Sequence, residues 1–125
     1  MNAQQKQIQT KRLTDLISFV GKVGNYKGYC KVKPNTYEHE LAKFNIVYFL
    51  VKNGYHVLTE AQLVSGGIPD IVAIKDGSGM IIEVLNTEKE KIKNLEHNPK
   101  IDKYPEEFTF VEVDCMDYQT ECTKF

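Results

Sequence analysis

Three cysteines, Cys30, Cys115 and Cys122, are all that 125 residues contain. An odd number without metal-ligand spacing excludes a disulfide framework and a zinc ribbon. The three read as free thiols of a reducing cytoplasm, with a Cys115–Cys122 bridge in the tail as the one pairing left open. Long apolar runs are missing too. The densest, Phe44 to Val51, is far shorter than the roughly 20 residues a bilayer demands. The opening MNAQQKQIQTKR has no apolar stretch ahead of a small-residue cleavage site, so no secretory leader is expected. No repeat, low-complexity tract or linker divides the chain, and the expectation is one domain over residues 1–125. With 42% apolar and 26% charged residues, the composition is that of an ordinary soluble globular protein.

What is present is unevenly placed. Residues 1–36 carry Lys6, Lys11, Arg12, Lys22, Lys27, Lys31 and Lys33 against Asp15 alone, a net +6, while the remainder is net −7. A basic arm on an acidic body suits a nucleic-acid binder with a metal-binding acidic centre; a solvated basic helix face explains the same charges.

The apolar pattern predicts an amphipathic helix near 8–23 (Leu13, Leu16, Ile17, Val20, Val23) and a loop or short hairpin over 24–34. Asn35 or Thr36 is a candidate N-cap for a second helix over about 37–53, ended by Gly54 in the left-handed conformation. That helix is apolar over much of its surface and should be the central one, packed on a sheet. Strands follow over 56–64, 70–75 and 80–85, the last two joined by the Asp76-Gly-Ser-Gly79 hairpin connection. Thr87 and Glu90 form a capping-box pattern for a helix over about 88–96. A final strand spans 108–114, and 115–125 is a polar tail. The order helix, helix, three strands, helix, strand predicts an α/β fold around one mixed sheet.

Two carboxylates interrupt otherwise apolar strands. Asp70 opens Ile71-Val72-Ala73-Ile74, and Glu83 sits inside Met80-Ile81-Ile82-Glu83-Val84-Leu85. The hairpin makes these strands antiparallel neighbours and brings both acids towards one sheet edge. A carboxylate in a strand core is costly unless paired or coordinating a cation. Hard oxygen donors of this kind suit Mg²⁺ or Mn²⁺, which polarise a phosphodiester and activate water. The plainer account leaves Glu83 facing solvent and Asp70 opening a strand after Pro69.

The stretch GGIPDIVAIKDGSGMIIEVLNTE resembles the PD-(D/E)xK nuclease motif, most closely that of archaeal Holliday-junction-resolvase-like small nucleases. The resemblance covers about 36–114 and implies a restriction-endonuclease-like αβββαβ core, a mixed sheet flanked by helices, with an extra N-terminal helix and loop over 1–35. It implies metal-dependent hydrolysis of DNA, in repair or recombination, with Asp70, Glu83 and the backbone carbonyl of Val84 holding Mg²⁺ or Mn²⁺. The family's further glutamate on the first core helix maps to Glu38, with Glu40 as competitor and Glu60 as a third candidate. His39, His56 and His97 are expected at the surface or in structural roles. Ser65, Gly66 and Gly67 would form a loop against the DNA backbone, and Lys22, Lys27, Lys31 and Lys33 would bind phosphates. Tyr26, Tyr29 and Tyr37 would stack on bases or simply anchor loops. Junction-cutting relatives act as dimers, which implies a homodimer.

One family residue is missing. The motif lysine should stand two residues after Glu83, where this chain has Leu85. Either a lysine from a neighbouring element takes its place (Lys89 and Lys93 foremost, then Lys91, Lys100 and Lys103), or the chain is a nuclease-fold binding or accessory subunit without catalysis. Lys75 is the poorer substitute, because strand alternation turns it away from Asp70.

Overall fold

A computed structural model describes residues 1–18, 37–86 and 104–125. Helix α1 (Ala3–Thr14) starts earlier than the apolar spacing suggests. Asn2 and Gln5 close a reciprocal capping box, the Gln5 N–H donating to Asn2 Oδ1 at 2.8 Å. The helix also stops before position 23: Leu16 N–H bonds Leu13 O, and the β-branched Ile17 enters a short strand β1 (Ile17–Ser18). Helix α2 (Tyr37–Lys52) ends as expected at Gly54, whose φ of +87° few other residues adopt.

Strand β2 (His56–Thr59) is shorter than the 56–64 expected. Glu60 takes φ +57°, a left-handed conformation that cannot continue a ladder, and the chain turns into β3 (Gln62–Leu63). β3 pairs antiparallel with β1 in a separate two-stranded sheet. Strand β4 (Ile71–Lys75) and strand β5 (Ser78–Leu85) meet at a two-residue turn in which Asp76 and Gly77 both have positive φ, 51° and 84°. That is the type I′ geometry whose twist matches an antiparallel pair, and β5 accordingly begins at Ser78. Strand β6 (Phe108–Asp114) lies parallel to β5, so the main sheet is mixed, in the order β2-β4-β5-β6.

Each face of this sheet carries a helix. Ala42, Ile46, Val47 and Leu50 of α2 pack on Val57, Ile71, Ala73, Ile82 and Val84; Leu13 of α1 lies with Ile17 on Leu58, Val72, Ile74, Ile81 and Phe108. Strands buried on both faces read as continuous apolar runs, as Ile71–Ile74 do. A 3₁₀ turn (Cys115–Tyr118) folds the tail back onto α2, where Asn45 Nδ2 donates to Tyr118 O at 2.8 Å. Cys115 and Cys122 are both free thiols. The chain is thus an α/β protein; among the described residues no helix is long and apolar enough to cross a membrane. The helix expected over 88–96 and Cys30 lie outside the described residues.

Gly79 pairs with Phe108 across β5 and β6, and a Cβ there would meet the Phe108 ring at 2.7 Å. Gly79→Ala should therefore destabilise the protein by about 1–3 kcal/mol through overpacking, read as a lowered urea midpoint with an unchanged slope.

Candidate functional site

The strand register lines up acidic residues across the sheet. Thr59 pairs with Ile71 and Ile71 with Ile82, so Glu60, Asp70 and Glu83 lie one step further at the same height on three adjacent strands. Two hydrogen bonds fix that alignment: Glu60 N–H to Asp70 O at 3.3 Å, and Val84 N–H to Asp70 Oδ2 at 2.9 Å. Glu83 in turn pairs with Glu112 on β6.

Helix α2 brings three more polar groups to this end of the sheet. Its sheet-facing stripe runs His39, Lys43, Ile46, Leu50, a spacing of four, three and four that keeps one helix face inward. Lys43 has no exposed surface, and its Nζ lies 2.5 Å from Oε1 of Glu60, itself only 4% exposed. His39 is buried between two carboxylates, Nε2 at 3.6 Å from Asp70 Oδ2 and Nδ1 at 3.5 Å from Glu40 Oε1. Glu83 is also buried, and the Tyr104 hydroxyl donates to its Oε1 while the Tyr104 ring packs on Phe110 at 5.4 Å.

The electrostatics follow from this crowding. Burial pushes the Asp70 carboxyl up, but the contact from His39, the Val84 N–H and the charge of Lys43 together hold it below the ordinary aspartate range. Glu40 moves the other way: burial and the nearby Glu60 and Asp70 raise it against the pull of Lys43. Burial, then the bond to Glu83, raises the Tyr104 phenol far above its usual value, so it stays a neutral donor.

Not every expected residue comes to this point. Asp70, Glu83, Val84 and Glu60 do. Glu40 joins them, while the Glu38 side chain is exposed and its backbone carbonyl accepts from Gln119 Nε2 at 2.8 Å. His39, expected at the helix surface, is in the interior because it falls on the stripe that faces the sheet. Ser65, Gly66 and Gly67 form the turn between β3 and β4, with Gly66 at φ +104° and Gly67 O accepting from Leu63 N–H at 2.8 Å. Leu85 is buried. Lys22, Lys27, Lys31, Lys33, Lys89 and Lys93 lie outside the described residues. Lys43 and Tyr104 were not singled out from sequence. Lys43 did carry a signal, a charged residue at a position of the buried stripe; Tyr104, remote in sequence from Glu83, carried none.

The donor set is one of hard oxygens. Among the described residues no three His, Cys, Asp or Glu side chains converge as a ligand group. Mg²⁺ does not require one: it is commonly held by one or two carboxylates, with waters and substrate phosphate filling the remaining positions. Asp70, Glu83 and the Val84 carbonyl fit that requirement, with Glu40 and Glu60 beside them. No protein-family model, curated protein or solved structure matches the chain.

Two measurements test the site's energetics. Lys43→Met takes a buried cation away from the Glu60 carboxylate, so it should cost about 3–5 kcal/mol in urea unfolding. Lys43→Met/Glu60→Gln should lose clearly less than the two single losses combined. Asp70 has a folded-state carboxyl held low, so its stabilising contribution is present above the unfolded value of about 3.9 and disappears as pH falls through the lower folded value. Unfolding midpoints should drop over that acid window, and Asp70→Asn should flatten the drop.

Proposed function

We propose that this chain is a metal-dependent phosphodiesterase acting on DNA in the cytoplasm, on a restriction-endonuclease-like core in which Lys43 does the work of the lysine absent at position 85. The observation that carries this reading is Lys43 itself: a lysine with no exposed surface, closed on Glu60 in the row that contains Asp70 and Glu83. A buried ammonium is costly, and a charge kept at that cost among the acids of a candidate metal site supports a functional role. A homodimer is the assembly that the resemblance implies.

In this reading Asp70, Glu83 and the Val84 carbonyl hold Mg²⁺ or Mn²⁺, with Glu40 or Glu60 completing the set. When bound, the ion polarises the phosphodiester and lowers the pKa of a water. The chain's own groups do the rest. His39 and the Val84 N–H orient the Asp70 carboxylate, Tyr104 fixes Glu83, and Lys43, closed on Glu60, acts through its charge, holding the Asp70 carboxyl low and offsetting negative charge gathering on the phosphate. The turn at Ser65–Gly67 lies a few residues before Asp70 and would run against the DNA backbone.

A second reading is favoured by Leu85, an apolar side chain buried where the family's lysine stands: a nuclease-fold subunit that binds nucleic acid without cutting it. Incubating branched, single-stranded and duplex DNA with Mg²⁺ or Mn²⁺ separates the two. Hydrolysis should vanish in Asp70→Ala and Glu83→Ala and fall at least about a hundredfold in Lys43→Met, the loss typical of one transition-state donor. Cleavage surviving both acidic substitutions would remove the site assignment. Salt-sensitive binding with no cleavage at all would establish the binding subunit instead.

A further inference from the structure

Helix α2 is seated on two sides. Its inner stripe, His39, Lys43, Ile46 and Leu50, faces the sheet, and one flank is covered by the end of the chain. Strand β6 delivers that end to the site: Glu112, Val113 and Asp114 lie opposite Glu83, Val84 and Leu85, and the 3₁₀ turn begins at the next residue. Asp114 Oδ1 accepts from the Met116 N–H at 3.0 Å and fixes the start of the turn. Cys115 is buried with Ala42, Ile46 and Val47 of α2, and its Sγ lies 3.8 Å from Asn86 O, just past β5. Among the described elements, α2 meets no strand as extensively as it meets this turn.

Two side chains lock the turn to α2. Asn45, itself buried, donates from Nδ2 to Tyr118 O at 2.8 Å. Gln119 uses both amide hydrogens: its Nε2 lies 2.8 Å from Glu38 O, in the first turn of α2, and 2.8 Å from Cys115 O. Glu38 directly precedes His39 and Glu40. A helix held on a sheet by one apolar stripe can still shift and roll about its axis. With side-chain tips about 5–6 Å from that axis, a roll of about 20° displaces them by roughly 2 Å. That is enough to part Lys43 from Glu60 and His39 from Asp70. A tie at Glu38, and another at Asn45 two turns further along the same flank, oppose the roll. We propose that the segment Cys115–Gln119 is the positioning element of the site, holding Lys43 on Glu60 and His39 beside Asp70, with Gln119 as its positioning residue. The consequence for hydrolysis rests on the phosphodiesterase reading above; the mechanical part does not.

Gln119 is half-buried, so Gln119→Met removes both donors with little change of volume. Proton exchange of the Lys43 ammonium, followed by NMR on the full chain, should speed up at least about tenfold in Gln119→Met as the contact opens more often. Gln119→Lys, whose ammonium can reach the same two carbonyls, should restore slow exchange. Urea unfolding gives an independent readout. Gln119→Met should lower the midpoint clearly less in the Lys43→Met/Glu60→Gln background than in the wild type, because there the contact it holds is already gone. Exchange unchanged in Gln119→Met, or the same fall in both backgrounds, overturns the proposal. DNA cleavage separates it from the wider reading: Gln119→Met should lower kcat and leave KM unchanged, and an unaltered kcat overturns the positioning role. A wild type that cuts no DNA removes the phosphodiesterase instead, and leaves the exchange and unfolding measurements to decide on Gln119.

Discussion

An ammonium group with no exposed surface, closed on a carboxylate 2.5 Å away, organises this end of the sheet. The pair ties α2 to the end of β2, and it does so at a cost. Two charges must leave water, and the Glu60 backbone must adopt a left-handed φ. That conformation in turn ends β2 at Thr59 and diverts the chain into the small sheet with β1. An apolar pair would satisfy packing alone at least as well. What the pair adds beyond packing is a fixed charge close to Asp70.

The remaining groups are arranged around that contact by the sheet and one helix face. Antiparallel pairing of β2, β4 and β5 brings Glu60, Asp70 and Glu83 to one height, and each is engaged by a donor from a different element: Lys43 of α2, the Val84 N–H of β5, and Tyr104 ahead of β6. Like charges so close would repel one another without these donors. Rigid elements, and not loops, carry every one of the three acids or its neighbour in sequence, which is the condition for a site held in fixed geometry.

The parts legible in the sequence were those set by local rules. Alternation and the Asp76-Gly-Ser-Gly79 signal identified the β4–β5 hairpin and brought Asp70 and Glu83 towards one sheet edge, though the two-residue turn that sets them in register was two residues shorter than expected; Gly54 marked the end of α2. What escaped depended on contacts distant in sequence. Lys43 and His39 looked like ordinary polar residues of a helix until the sheet fixed which face was inward, and the same information puts Glu40, and not Glu38, close to Asp70. The strand over 56–64 was interrupted because Glu60 answers to a helix seventeen residues earlier, a demand no local propensity records. Tyr104 reaches Glu83 from the segment just ahead of β6, 21 residues further along the chain, where no spacing rule connects them.

The tight turn between β4 and β5 also acts as a ruler. With two residues at the tip, every partner pair is fixed by counting back from Lys75 and Ser78, and Asp70 meets Glu83 only because equal numbers of residues separate each from the turn. With the two-residue tip kept, a longer hairpin keeps the acids opposed only if both strands gain the same number of residues, so their separation along the chain grows in steps of two. A single inserted residue would need a bulge or a three-residue tip to absorb it; otherwise it would rotate one acid to the other side of the sheet. For a two-residue tip the interval between the two acids thus carries a parity, and that parity, more than the length itself, keeps Asp70 opposite Glu83.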